Sequence, residues 1–191
     1  QGRLESQFNY QTMIKELTGL NVSNASLLDE GSTISEVVNI FHNYYKKKRN
    51  IVICSSNLHP QILDIIKTKC SVLDLELELF NFNDVNKEDI LNYIEYYDEN
   101  IMGIIFSYPD TYGEIYIPYD IIDLAKEKNI LTCSNNDILS LVKIKSPGDL
   151  GIDISFGTSQ RFGIPMWYGG PHPSFLAVNK KLLRLMPGRI I

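Results

Sequence analysis

Residues 51–80 read IVICSSNLHPQILDIIKTKCSVLDLELELF, and the hydrophobic period changes twice along them. Ile51-Val52-Ile53-Cys54 is a short unbroken apolar run, the pattern of a strand buried on both faces. Pro60 suits the first turn of a helix, where no N–H is needed. Ile62, Ile65, Ile66 and Cys70 then share one helical face. Leu75 to Phe80 alternates apolar with acidic residues, which is strand spacing. Strand, helix, strand is a βαβ unit, and its two strands run parallel.

Downstream the alternation continues. Asn86 with Ile90, Leu91, Ile94 and Tyr97 predicts a helix, Ile101 to Phe106 a strand, Tyr119 to Ala125 a helix and Ile130 to Cys133 a strand. Ile138 to Ile144 predicts a short helix, and Ile152 to Phe156 and Phe175 to Val178 two more strands. Upstream, Ile34, Val37, Val38, Phe41 and Tyr45 trace one helix face behind a capping box of Thr33 and Glu36. Leu4, Phe8, Met13 and Leu17 recur at helical spacing, and Gly19 stops them. The pattern predicts an α/β fold with a mainly parallel sheet, as a single domain over residues 1–191, since no repeat, low-complexity tract or linker interrupts it.

Of the 191 residues, 44% are apolar, enough for one sizeable core. Lys and Arg number 18 and Asp and Glu 23, so the formal net charge is −5, with a pI of about 5.2. That balance argues against general nucleic-acid binding, which needs a basic surface. The basic cluster Lys46-Lys47-Lys48-Arg49 falls at a predicted helix C-terminus, where solvated cations complement the dipole. No apolar run is long enough to span a membrane. Cys54, Cys70 and Cys133 are odd in number and widely spaced, so they predict neither a disulfide framework nor a metal site, and fit a reduced compartment. With no initiator Met and no signal peptide, the sequence reads as a piece of a longer protein.

Two stretches carry the functional reading. Gly157 to His172 reads GTSQRFGIPMWYGGPH between two predicted strands, and long loops in compact domains are usually functional. Its glycines, with Pro165 and Pro171, make a shaped frame around the guanidinium of Arg161, which suits an anion or a partner surface. The second stretch is Asp29-Glu30-Gly31-Ser32-Thr33. A Gly-Ser-Thr turn opening a helix is either an anion site, because the first amides are unpaired, or an ordinary cap.

The first of these stretches resembles a signature of the P-protein family of the glycine cleavage system, the pyridoxal-phosphate-dependent glycine decarboxylases. That signature runs Gly-x-Ser-Gln-Arg-Phe-Gly-Val-Pro, then a glycine-rich turn and Gly-Gly-Pro-His. The likeness continues in family order at Gln1-Gly2-Arg3-Leu4-Glu5-Ser6, Asn24 to Gly31, Tyr108-Pro109-Asp110-Thr111-Tyr112-Gly113, Pro147 to Ile154 and Met186-Pro187-Gly188-Arg189. Trp167 departs from it by standing where the family carries Gly, so its ring must fill a gap or distort the turn.

The resemblance implies an incomplete large domain of the pyridoxal-phosphate-dependent transferase fold type I, a three-layer αβα arrangement. It implies a protein of two similar halves, on one chain or on separate subunits, with this chain in the amino-terminal half. The catalytic half carries His-Lys-Thr-Phe, whose Lys forms the Schiff base. Laid on that run, Ser159 takes the place of the His, Gln160 of the Lys and Phe162 of the Phe. A carboxamide cannot condense with an aldehyde as an amine does. Lys143, Lys145, Lys180 and Lys181 are the nearest alternatives and read as solvated charges. Ser134 aligns with the carboxylate that pairs with the pyridine nitrogen, and a neutral Ser could not hold that nitrogen protonated; Asp137 reads as a helix cap.

No residue of this chain is therefore expected to be catalytic, and none to hold the cofactor covalently. Gly31, Ser32 and Thr33 are a vestigial phosphate loop, and Asp29, Glu30, Tyr108, Thr111, Arg161 and His172 support the active site or face the other half. His42 and His59 need no functional role. By resemblance, the whole enzyme decarboxylates glycine and passes the aminomethyl group to the lipoyl arm of the H-protein. Pyridoxal phosphate is then held by the other half and not by this chain. The implied partners are the catalytic half and the H-protein, with no nucleic acid or membrane. The implied compartment is the mitochondrial matrix in a eukaryote or the cytoplasm in a bacterium. Two other readings stay open: a stand-alone pyridoxal-phosphate enzyme with a displaced lysine, and a non-catalytic pseudo-enzyme that binds a partner or a small anion.

Overall fold

In the computed structural model, residues 2–82 and 87–191 are described; the readings placed on Gln1 and Asn86 lie outside them. The unbroken apolar runs become buried strands: β2 (Ile51–Ser55), β4 (Ile101–Ser107), β5 (Leu131–Asn135), β6 (Ile154–Thr158) and β7 (Ser174–Val178). The alternating run becomes the edge strand β3 (Glu76–Phe80), half exposed. The two-residue β1 (Val22–Ser23) closes the opposite edge, giving the order β1-β7-β6-β5-β4-β2-β3. The neighbours from β3 across to β6 pair parallel, while β7 pairs antiparallel with both β6 and β1.

The helices fall where the crossovers put them. From β2 the chain steps outward through α3 (Pro60–Leu73) to β3, then back past β2 through α4 (Lys87–Tyr97) to β4, and on through α5 (Tyr119–Glu127) to β5. Right-handed crossovers that travel in opposite directions place their helices on opposite faces. Accordingly α3 packs with α2 (Glu30–Tyr44) on one face, against Val52, Cys54, Cys133 and Phe156. On the other face α4 and α5 cover Ile51, Ile53, Ile104 and Phe106. Beside them Ile14 of α1 (Gly2–Thr18) packs on Phe175 and Ala177. A register shift helps seat α2: Ile51 opposes Ile101 and Val52 opposes Gly103, so Met102 is extra. Gly103 thereby lies under Phe41, whose ring carbon stands 2.1 Å from where a Cβ would be.

Several expectations need correction. α1 exists, but its predicted apolar face does not pack: Leu4, Phe8 and Met13 are about half exposed, and the buried positions are Gln11, Ile14 and Thr18. The N-cap of α2 is Asp29, not Thr33, and Glu36 accepts from Asn39 at 3.0 Å instead of closing a capping box. Residues 138–144 hold only a 3₁₀ turn, Ser140–Val142. In the basic cluster Lys46 to Lys48 are exposed, whereas Arg49 stacks on Tyr45 at 4.2 Å and donates to the Ile101 carbonyl at 2.7 Å. The three cysteines are free and buried; burial pushes the Cys70 thiol up to about 11 and raises those of Cys54 and Cys133 well above the ordinary thiol range, which disfavours the thiolate. Among the described residues no helix is long and apolar enough to cross a membrane, and no group of three or more acidic, His or Cys side chains could hold a metal ion.

Candidate functional site

Where the chain reverses direction at β2, its neighbours leave by opposite faces and a crevice opens beyond the carboxyl ends of the strands. A cavity of about 780 Å³ occupies it, bounded by the ends of β4, β5 and β6 at Ser107, Asn135 and Thr158 and by the start of α2 at Asp29, Glu30 and Gly31. His59 before α3, the Pro109–Thr111 turn, Arg161 and His172 complete the wall.

The floor is a closed hydrogen-bond network. Asn136, 2% exposed, donates to the Tyr108 carbonyl at 2.6 Å and accepts from the hydroxyls of Ser134 at 2.7 Å and Ser155 at 2.8 Å. A buried amide satisfied on both ends ties β5 to β6 and to the turn after β4. Gly157 lets β6 come that close, because a Cβ there would sit 2.1 Å from the Asn136 carbonyl. Next to it, Asn135 donates to Glu30 at 3.1 Å and accepts from Ser107 at 3.4 Å, so the tip of β5 steers the first residue of α2.

The walls are held by carboxylates. Asp29 accepts from the Ser32 amide at 2.6 Å, and that bond, helped by the Ser32 hydroxyl and the nearby His172, holds its carboxyl below the usual range. Asp110 accepts from the amides of Tyr112 and Glu114, both at 2.9 Å, and from Asn57 at 3.0 Å, which fixes the turn carrying Thr111. Asp137 caps the amide of Leu139 at 3.1 Å, as expected of a cap. It also takes both prongs of Arg161, at 3.3 and 3.2 Å, a pairing across 24 positions that spacing does not reveal.

The structure thus brings Asp29, Glu30, Gly31, Thr111, Arg161 and His172 around one cavity. Thr33 is fully buried and turns its hydroxyl onto the Asp29 carbonyl at 2.8 Å. Tyr108 reaches the site through its backbone only; its ring is buried in the core beneath α5. Gln160 opens a 3₁₀ turn with Arg161 and Phe162, its amide donating to Thr158 at 3.1 Å, and does not line the cavity. Ser159 is buried between the Tyr10 hydroxyl and the Pro173 carbonyl, each at 3.1 Å. Ser134 is fully buried in the floor network. Among the described residues no lysine lines the cavity. Lys181 is not merely solvated, since it pairs with the buried Asp153 at 2.7 Å. The Trp167 ring fills no gap: it is 77% exposed, and the turn bends instead, with Tyr168 at φ 46°.

The reading of residues missed Ser107, Asn135 and Asn136, and gave His59 no functional role, although it lines the cavity while capping α3 with a 3.4 Å bond from Gln61. A signal was available: each of the three polar residues stands at or just beyond the carboxyl end of an apolar run, where α/β sheets place their sites.

The comparisons agree with this architecture. A sequence model of the glycine cleavage system P-protein matches residues 1–191. The mitochondrial glycine dehydrogenase (decarboxylating) of Solanum tuberosum is 44% identical over all 191 residues, and that of Mus musculus 38%. The chain spans 18% of the length of each of these relatives. A crystal structure of glycine decarboxylase (P-protein) in inhibitor-bound form superposes with a TM-score of 0.85 at 29% identity, over the whole of this chain and 42% of that one. Cystathionine gamma synthase from Xanthomonas oryzae pv. oryzae shares the fold at a TM-score of 0.72 and 14% identity, over 95% of this chain and 44% of that one. Part of a fold type I large domain, built on a seven-stranded sheet with its polar cavity at the strand ends, the chain belongs to the glycine cleavage system P-protein family.

Proposed function

We propose that the chain is a single-domain segment of the non-catalytic, amino-terminal half of a glycine dehydrogenase (decarboxylating), and that it supports a lysine-bearing half that does the chemistry. The whole protein then decarboxylates glycine and hands the aminomethyl group to the lipoyl arm of the H-protein. One observation carries this reading: the fold's cofactor position holds a cavity with no lysine in its described wall, and the position that the resemblance gives to the Schiff-base lysine is Gln160, in the turn beside it and outside that wall. An imine needs a free amine, so these residues do not fit covalently bound pyridoxal phosphate. The two lengths of relative support a protein in halves. The same 191 residues cover 42% of the solved chain and 18% of the curated relatives, so the solved chain is less than half as long.

On this reading pyridoxal phosphate belongs to the other half, where it supplies the electron sink for decarboxylation. Asp29, Glu30, Thr111, Arg161 and His172 shape the wall that meets that half, and the backbone of Tyr108 braces it. The compartment is the mitochondrial matrix if the source is a eukaryote, in keeping with the named relatives, which are mitochondrial, or the cytoplasm if it is a bacterium.

The test uses the full-length protein. Loading with pyridoxal phosphate, borohydride reduction and digestion should place the phosphopyridoxyl label on a lysine outside these residues. Stoichiometric label on any single lysine of this segment overturns the proposal. Where the halves are separate subunits, glycine–carbon dioxide exchange should collapse when this one is left out.

A further inference from the structure

We infer that Asp29 stands in for the missing phosphate at the start of α2, and that it determines which half of the protein can take a phosphate-bearing ligand. The phrase "which half" rests on the proposed function; the effect of Asp29 on its own cavity does not.

The start of a helix attracts anions because its first amides are unpaired and the dipole is positive there. Here the donors that sequence assigns to a phosphate loop are turned onto one residue of the chain itself. The Ser32 amide donates to the Asp29 carboxylate at 2.6 Å, and the Thr33 hydroxyl donates to the Asp29 carbonyl at 2.8 Å. The turn is also backed by α3, since a Cβ on Gly31 would stand 2.7 Å from the Ile65 methyl, so it has little room to pivot toward an incoming group.

The charges around it agree. Glu30 follows immediately, and its carboxylate is oriented along the wall by Asn135 at 3.1 Å. An incoming phosphate dianion would meet two carboxylates at the place where it needs donors. The Arg161 guanidinium on the same wall is engaged by Asp137 on both prongs. The amide of Ser32 keeps the Asp29 carboxyl below the usual range, so its negative charge persists throughout neutral pH. A carboxylate carried by the chain also has a large effective concentration over free phosphate.

The test is phosphate titration of cofactor-stripped full-length protein by calorimetry, counting sites per chain. The double variant Asp29→Ser/Glu30→Gln keeps a hydroxyl cap and the Asn135 bond while removing both charges. It should show one phosphate site more than the parent, at least about tenfold tighter than any parental binding in this cavity, as expected for removing like charges at close range. Asp29→Asn is nearly isosteric and caps a helix as well as Asp does, so it guards against a folding failure; it should gain the same site more weakly. Phosphate should slow amide exchange of residues 30–36 in the variants and leave it unchanged in the parent. Equal site counts in parent and variants overturn the inference, as does phosphate protection of residues 30–36 in the parent. A parental count of zero with one site in the variant supports the role of Asp29 while speaking against a second phosphate-binding half.

Discussion

Asn136 is 2% exposed and Trp167 is 77% exposed, yet both belong to segments that bound the same cavity. Around Asn136 two hydroxyls and a carbonyl converge on one side-chain amide, and the strands on either side are buried. Around Trp167 the chain has one short local bond, from the Gly170 amide to the Trp167 carbonyl at 2.6 Å, and Met166 and Tyr168 are exposed as well. Among the described residues the loop is anchored at its ends, where Ser159 donates to the Pro173 carbonyl at 2.8 Å and Arg161 grips Asp137. The floor is therefore shaped by contacts within this chain. The crest of the loop gets almost none of its shape from them, which suits a surface completed by the rest of a larger protein.

The largest expected effect lies in the floor. Asn136→Ala leaves the Ser134 and Ser155 hydroxyls and the Tyr108 carbonyl buried without partners. Each orphaned group costs roughly 1 kcal/mol or more, so the variant should lose at least about 3 kcal/mol. Hydrogen exchange of the peptides covering β5 and β6, measured in the full-length protein, should accelerate accordingly. A loss under about 1 kcal/mol would mean that water replaces the network and that the floor is not set from within.

An intermediate effect belongs to Asp29, which stands between the two regions. Asp29→Ala removes an N-cap and should cost about 1 kcal/mol, read as faster exchange of residues 30–36. The pH dependence has a definite sign. The folded-state pKa of Asp29 is lowered, chiefly by the Ser32 amide, so the carboxylate stabilises fully above its unfolded value of about 3.9. Its contribution fades as the pH falls from there through the lower folded-state value, and the gap between parent and Ala variant should close over that acid range. A gap that instead grows on acidification would show that the carboxylate does not carry the cap.

The same contrast explains what could be read from the sequence. The buried strands were legible because Ile51 to Cys54, Ile101 to Phe106 and Phe175 to Val178 are apolar whatever surrounds them. The cavity floor was not, because an Asn-Asn pair at the end of a strand has the composition of any loop, and its meaning lies in Ser155 and Tyr108, which only the folded sheet brings near. Asp29, Ser32 and Thr33 are all cap-formers, and spacing alone cannot choose among them. The extended backbone of Asp29, φ −158°, makes the choice. The face of α1 was misread because Leu4, Phe8 and Met13 are apolar but stay about half exposed among the described residues, whereas Ile14 reaches β7.

A smaller effect is expected at the loop's anchor. The Arg161–Asp137 fork is well aligned but its side chains are 55% and 38% exposed, so Arg161→Ala should cost no more than about 1 kcal/mol. Because solvent already screens the pair, about 1 M salt should erase most of that difference. A loss that survives high salt would assign Arg161 a packing role and make the loop more like the floor.

The smallest effect is expected at Trp167. Surface substitutions away from caps, networks and cores usually fall within about 0.5 kcal/mol, and this ring touches too little to be an exception. Trp167→Ala should therefore leave exchange across β6 and β7 unchanged in any form of the protein where the crest stays in solvent. In the full-length protein the same variant distinguishes two situations. If it changes nothing there either, the crest is free and the contrast with Asn136 is complete. If it costs as much as truncating a buried aromatic, about 3–5 kcal/mol, the ring is seated in a pocket outside these residues, and the loop is as tightly specified as the floor, but by another part of the protein.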